Sequence, residues 1–341
     1  MKAYPEQLEI AEIASKYHHG TISAVTGFGK SVAIALIIQK LQVRTLVVVP
    51  NLTLKYQLSE TFKKLFGSLE NITIENIDST ALKTNTNYDC LIIDEAHRSA
   101  AKTYRKLNKT AWRGIYYRFA FTGTPFRNRD EEQLLLESVA GQVIYEIDYY
   151  KAASRGYISE IEAYFIEVPK IKLKCNPKSW PAVYSELIVN NEARNNMISK
   201  LILTLDAAKI STLCLVKEIR HGENLRVSTG AAFMHGEAEN NRVLLLEFLL
   251  GQRHSLLGTV GVLSEGVDTK RAEFVIIGGL GKSRPQFIQS VGRVIRTSPG
   301  KTSGKVIIIL DRSHPWCVKH FKEQCKILLE TYGVVPLKLE I

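Results

Sequence analysis

The 341-residue chain is 45% hydrophobic and 23% charged, a balance that excludes a disordered polymer and suits a folded protein. Its net charge is 45 − 34 = +11, and both halves share the excess, with 20 Lys+Arg against 16 Asp+Glu over residues 1–156 and 25 against 18 over 157–341. A polyanion could therefore lie along both halves, although plain solubility reads the same way. No run reaches the roughly 18 uninterrupted apolar residues of a membrane span, and Met1–Glu6 carries acid where a secretion signal would be apolar. These features place the protein in the cytoplasm. Five scattered cysteines (Cys90, Cys175, Cys214, Cys317, Cys325) contain no Cys-x-x-Cys pair, which reads as reduced thiols without a structural metal.

The length suits two domains of roughly 150 residues. In chain order, apolar spacing predicts a helix over Tyr4–Lys16, broken by Gly20, then a strand over Thr21–Val25. A helical run follows from Val32 to Lys40, a buried strand from Arg44 to Val49, and an amphipathic helix over Leu52–Phe66 that Gly67 ends. Ile72–Ile74, Cys90–Ile93 and Tyr117–Phe121 read as further strands. Alternating strands and helices imply parallel βαβ units, whose ligands bind at the carboxyl ends of the strands. Gly156 marks the expected hinge, and Pro169, Pro177 and Pro181 mark an irregular region. A second alternating series predicts helices over Glu192–Leu205, Arg242–Leu250, Pro285–Arg296 and Trp316–Tyr332, with strands over Ser211–Val216, Ser255–Val260, Phe274–Ile277 and Lys305–Leu310.

The chemistry starts at Ala24-Val25-Thr26-Gly27-Phe28-Gly29-Lys30-Ser31, set between a strand and a helix. Glycines let backbone N–H groups curl around a polyphosphate, and the helix N-terminus adds positive charge. Lys30 would reach the β- and γ-phosphates, and the Ser31 hydroxyl would ligate Mg²⁺. Ala24 stands where the full phosphate-loop pattern has glycine. Beyond the strand Cys90–Ile93 come Asp94 and Glu95. Asp94 could hold Mg²⁺ opposite Ser31, and Glu95 could activate the water attacking the γ-phosphate. In the second half, Arg293 and Arg296 are three apart on a predicted helical face, a pairing suited to the charge of a transferring phosphoryl group.

Residues 98–129 carry nine Lys or Arg and no acid, interleaved with Tyr104, Trp112, Tyr116, Tyr117, Phe119, Phe121 and Phe126. Cations with rings suit single strands, with the rings stacked on bases. The competing reading makes Phe119 and Phe121 strand core and the lysines a solvated helix face.

Together these segments resemble a superfamily 2 helicase. Thr26–Ser31 is similar to motif I, Val47–Gln57 to motif Ia, Asp94-Glu95-Ala96-His97 to a DEAH-type motif II and Thr122-Gly123-Thr124-Pro125 to motif III. Thr259 through Ser264-Glu265-Gly266-Val267-Asp268 is similar to motif V, and Gln289–Arg296 to motif VI. The Thr-Gly-Thr-Pro-Phe-Arg, His235-Gly236-Glu237 and Glu-Gly-Val-Asp segments most resemble the DNA-remodelling branch with phage UvsW-type and XPB-type helicases. The resemblance implies two tandem RecA-like α/β domains, over 1–156 and 157–341, with ATP and Mg²⁺ in a cleft between them.

It also implies residue roles. Tyr4 and Gln7 would serve the adenine, although the arginine usual before that glutamine is missing. Gly266 and Asp268 would approach the nucleotide from the second domain, and Gln289, Arg293 and Arg296 would act on it. His97, Thr122, Thr124 and Gln289 would couple the nucleotide to the strand-binding face. Pro50, Asn51, Thr80, Gly236 and Thr259 would contact the nucleic-acid backbone. The implied activity is ATP-dependent, largely sequence-independent remodelling of DNA, with forks and branches favoured. RNA as the substrate, and a binding module with a vestigial nucleotide site, stay open. Two such domains consume nearly the whole length, which leaves open action on forks, branches or short duplexes, a small inserted wedge, or an accessory protein partner.

Overall fold

A computed structural model of the chain describes residues 3–84, 87–96, 102–123, 130–172, 179–263 and 269–340. It forms two compact units, Met1–Ala152 and Ala153–Ile341. The first runs α1 (Pro5–Tyr17), β1 (His19–Ala24), α2 (Lys30–Leu41), β2 (Thr45–Val49), α3 (Leu52–Phe66), β3 (Ile72–Asn76), α4 (Ala81–Thr84) and β4 (Cys90–Ile93). It continues with α5 (Lys102–Lys109), β5 (Tyr117–Thr122), α6 (Asp130–Ala140), β6 (Val143–Ile147) and α7 (Tyr149–Ser154). Its six strands make one parallel sheet in the order β3-β2-β4-β5-β1-β6. The runs Thr45–Val49 and Cys90–Ile93 are buried at every residue, as strands covered on both faces must be. α3 begins on Asn51, whose Oδ1 accepts from the Leu54 N–H at 2.9 Å, and ends at Gly67.

The aromatic residues after β4 belong to the core. Tyr104, Trp112, Phe119 and Phe121 are at most 2% exposed, and Tyr104 and Trp112 pack with Leu46, Leu91 and Ile93. They cannot offer faces to bases. Tyr116 is exposed, but it packs against His18, His19 and Tyr117 at the amino-terminal edge of β1 and β5, opposite the predicted ligand edge. Phe126 lies outside the described residues.

The second unit runs β7 (Glu160–Val168), α8 (Trp180–Tyr184) with a π-helical turn over Ser185–Val189, α9 (Glu192–Ala207), β8 (Thr212–Val216), α10 (Ile219–Thr229), β9 (Ala232–Met234), α11 (Asn241–Leu249), β10 (Ser255–Thr259) and α12 (Val260–Leu263). It closes with β11 (Phe274–Ile277), α13 (Arg284–Val291), β12 (Ser303–Asp311), α14 (Pro315–Tyr332) and β13 (Leu337–Lys338). Its parallel sheet is ordered β13-β7-β12-β11-β8-β10-β9. The nine-residue β7, for which the apolar pattern predicts no strand, ends just before the proline-marked stretch and pairs along its whole length with β12.

One expected helix is shorter than its pattern. Helix α13 stops at Val291, with Gly292 as its C-cap, rather than continuing to Arg296. Arg293 and Arg296 therefore do not share a helical face. The N–H groups of Arg293 and Val294 reach back only three residues, to Ser290 and Val291 (3.2 and 3.0 Å), which tightens and closes the helix. Among the described residues, no helix is long and apolar enough to cross a membrane.

Candidate active site

In the first unit, β1, β2, β4 and β5 all end at the same sheet edge, and the predicted phosphate loop, Asp94-Glu95 and Thr122-Gly123 leave from those ends. Gly27 and Gly29 both have φ of +91°, so the loop needs residues free of a Cβ penalty at two points. Gly29 is the N-cap of α2, so Lys30 and Ser31 open that helix. Phe28 is fully buried, with its ring 6.2 Å from that of Tyr4.

Gln7 braces this loop from below. Its amide nitrogen donates to the Phe28 carbonyl (3.0 Å) and the Gly29 carbonyl (3.3 Å), while its oxygen accepts from the Tyr4 N–H (2.9 Å). At 2% exposure, the side chain is part of the α1 capping box and of the loop together.

Lys30 and Glu95 meet although 65 positions separate them. Lys30 Nζ lies 3.3 Å from Glu95 Oε1, with the two side chains 11% and 19% exposed. Glu95 itself has φ of +50°, a left-handed conformation unusual outside glycine. Asp94, 7% exposed, accepts the Glu95 N–H on Oδ1 at 2.9 Å, which braces that turn. Gly123 closes the other side. A Cβ built there would sit 2.9 Å from Lys30 Nζ and 3.0 Å from Thr26 Oγ1, so the chain after β5 passes directly against the lysine. Sequence reasoning did not single out Gly123 as a site residue; its signal is the glycine between Thr122 and Thr124. Thr122 ends β5 and is 1% exposed. His97 and Thr124 lie outside the described residues.

Ser31 and Asp94 supply an oxygen-only donor pair at the same sheet edge. That set fits a hard divalent ion such as Mg²⁺, which keeps several waters and needs few protein ligands. Bound there, the ion would screen phosphate charge.

In the second unit, Gln289 and Arg293 are buried, at 7% and 3% exposure, and Arg296 is half-buried. Thr259 closes β10 and is 7% exposed. Gly236 faces open space, and the neighbouring His235 is fixed through its N–H and carbonyl to the Asn241 side chain (3.2 and 2.8 Å). Gly266 and Asp268 lie outside the described residues. Of the residues predicted to touch nucleic acid from the first unit, Pro50 and Asn51 follow β2, and exposed Thr80 precedes α4.

Comparison with known proteins bears on this arrangement. The family described as the type III restriction enzyme res subunit matches residues 2–87 and 70–127, and the helicase conserved C-terminal domain matches residues 191–298. The chain is 25% identical over 368 aligned positions to a viral protein named as a helicase, helicase 22 of Sulfolobus islandicus filamentous virus, covering 94% of this chain and 65% of that one. It is 24% identical over 346 positions to the DNA 3'-5' translocase XPB2 of Sulfurisphaera tokodaii, covering 85% and 77%. In three dimensions it resembles the fragment structure of an HsdR-type subunit of a type I restriction enzyme from Vibrio vulnificus YJ016. The TM-score is 0.72 at 17% identity, with 98% of this chain and 66% of that one covered, a likeness of fold. With the res-subunit family and the helicase C-terminal family matched in order along two parallel-sheet units, the chain belongs to the superfamily 2 helicases and is built as two tandem RecA-like α/β domains.

Proposed function

We propose that this protein is an ATP-driven helicase or translocase that remodels DNA, with forked or branched duplexes favoured over blunt ones. The observation that supports the reading most is the meeting of Lys30 and Glu95 at 3.3 Å beside Asp94, Thr26 and Gly123. A γ-phosphate held by the Lys30 ammonium would lie next to the carboxylate best placed to orient an attacking water. Ser31 and Asp94 hold Mg²⁺, and the phosphate-loop N–H groups bind the phosphate oxygens. Arg293 and Arg296, from residues 157–341, complete hydrolysis by stabilising charge on the transferring group. Hydrolysis thus draws on residues of both domains, 1–156 and 157–341, and alternates how tightly each grips the nucleic acid.

The DNA preference is supported by the XPB2 relative, whose name describes a DNA 3'-5' translocase. Phosphate contacts dominate, so binding is largely independent of sequence and weakens as salt rises.

The test is ATP hydrolysis measured with and without DNA, followed by strand displacement on matched forked, branched and blunt duplexes of DNA and of RNA. DNA-stimulated hydrolysis with displacement of forked or branched DNA is the expected result. Faster displacement of RNA would replace DNA with RNA as substrate. DNA binding without any ATP turnover would leave a binding module with a vestigial nucleotide site.

A further inference from the structure

Beyond Gly292 the chain leaves the helical ladder, yet each of the next four carbonyls has a donor from elsewhere in the second unit. The Arg293 carbonyl accepts from Thr269 Oγ1 at 3.2 Å, and the Ile295 carbonyl from the Ser159 N–H at 2.6 Å. The Val294 and Arg296 carbonyls both accept from Lys301 Nζ, the second at 3.0 Å. The third Lys301 proton goes to the Ala272 carbonyl at 2.6 Å, two residues before β11. An ammonium has three donors, and all three are used here. β12 lies close by: a Cβ at Gly304 would sit 2.3 Å from the Val294 carbonyl oxygen, so only bare backbone fits there.

We propose that Lys301 is the positioning residue for the arginine pair, fixing the backbone on either side of Ile295 and thereby the directions in which Arg293 and Arg296 leave the chain. The proposal rests on the reading of those arginines as charge stabilisers in ATP hydrolysis. Without the ammonium, the Val294 and Arg296 carbonyls lose the donor that Lys301 supplies, in a stretch beyond the end of α13. Hydrogen bonds from a charged donor are roughly twice as strong as neutral ones. One cation therefore holds what the truncated α13 does not. Burial pushes the Lys301 amine down to about 8, with Glu273 favouring its charge and the Arg296 guanidinium opposing it. A neutral amine keeps two protons and cannot serve three carbonyls.

The experiment measures DNA-stimulated ATP hydrolysis in Lys301→Met, Lys301→Arg, Arg296→Ala and the Lys301→Met/Arg296→Ala double variant. Lys301→Met should lose about 10²-fold in kcat, the scale of a misplaced catalytic group, with KM for ATP changed little. Its defect should not add to that of Arg296→Ala, because both variants remove the same contribution. Wild-type kcat should fall as pH rises from 7 to 9, whereas Lys301→Arg should keep most of the rate and a flat profile.

A Lys301→Met variant with normal kcat, or one whose defect multiplies with that of Arg296→Ala, overturns the proposal. A normal rate in Lys301→Met beside a slow Arg296→Ala removes only the role of Lys301. A normal rate in Arg296→Ala removes the arginine reading itself. If Lys301→Met does not fold, superimposed pH profiles of wild type and Lys301→Arg are the overturning result.

Discussion

Glu95 is held in a left-handed backbone conformation, with Asp94 Oδ1 accepting its N–H and Lys30 Nζ 3.3 Å from its carboxylate. A non-glycine residue in that region costs on the order of 1–3 kcal/mol and persists where its surroundings hold it, often at functional sites. The arrangement aims one carboxylate at one ammonium and leaves Asp94 beside them for a metal. Removing the charge of Glu95 should therefore spare binding and stop chemistry. Glu95→Gln is expected to bind a fluorescent ATP analogue within a few-fold of wild type and to lose about 10²–10⁴-fold in single-turnover hydrolysis, the usual range for a general base. Lys30→Ala should weaken analogue binding itself. Gln7 acts through the loop. Gln7→Ala removes two donated bonds and one accepted bond around Phe28, Gly29 and Tyr4. It should raise KM for ATP more than it lowers kcat, and steady-state kinetics would read that split.

Helix α9 places Arg194 under the loop that leads from β11 to α13. Its Nη2 donates to the Gly278 carbonyl at 2.7 Å, and the Tyr184 hydroxyl donates to the Gly279 carbonyl at 2.7 Å. Arg194 is 4% exposed; burial disfavours its charge, and nearby Asp311 supports it. Arg194→Met would leave Asp311 buried without that cation. The substitution also strips the Gly278 carbonyl of its charged donor, and the unfolding midpoint in urea should fall by an amount corresponding to roughly 1–3 kcal/mol, the cost of leaving a buried acceptor unpaired. None of this bracing was visible in the sequence, because its partners are 84 to 117 positions apart. What the sequence did disclose was local. β2 and β4 are continuous apolar runs buried on both faces, and the phosphate loop and Asp94-Glu95 follow directly from strand ends. β7 escaped notice because Glu160, Glu162 and Glu167 interrupt its apolar positions next to a proline-marked stretch. The end of α13 escaped notice for a different reason. Val291, Val294 and Ile295 keep helical spacing past Gly292, and the stop depends on Thr269, Ser159 and Lys301, which no local pattern connects. The rings after β4 were ambiguous because core and stacking readings use the same residues; burial decided for the core at Tyr104, Trp112, Phe119 and Phe121.

The whole molecule should also carry an acid limit that comes from the second unit. His221 is fully buried, with Nε2 3.0 Å from Asn195 Oδ1, and burial, aided by Arg194, pushes its pKa down to about 3. The unfolded chain protonates this imidazole near 6.5, so between those values the unfolded state holds the extra proton. Stability is fully present above pH 6.5 and declines as pH falls toward 3, by an amount on the order of a few kcal/mol. Urea midpoints taken from pH 7 to pH 4 should show the decline, and His221→Gln should flatten it. Under the proposed function, hydrolysis begins with Lys30, Asp94 and Glu95 in the first domain and needs the arginines of the second. The most direct measurement is the single-turnover hydrolysis rate of Arg296→Ala, loaded with saturating ATP and DNA. A loss on the order of 10³-fold with ATP still bound is the predicted result, whereas hydrolysis at the wild-type rate would show that the first domain completes the reaction without the second.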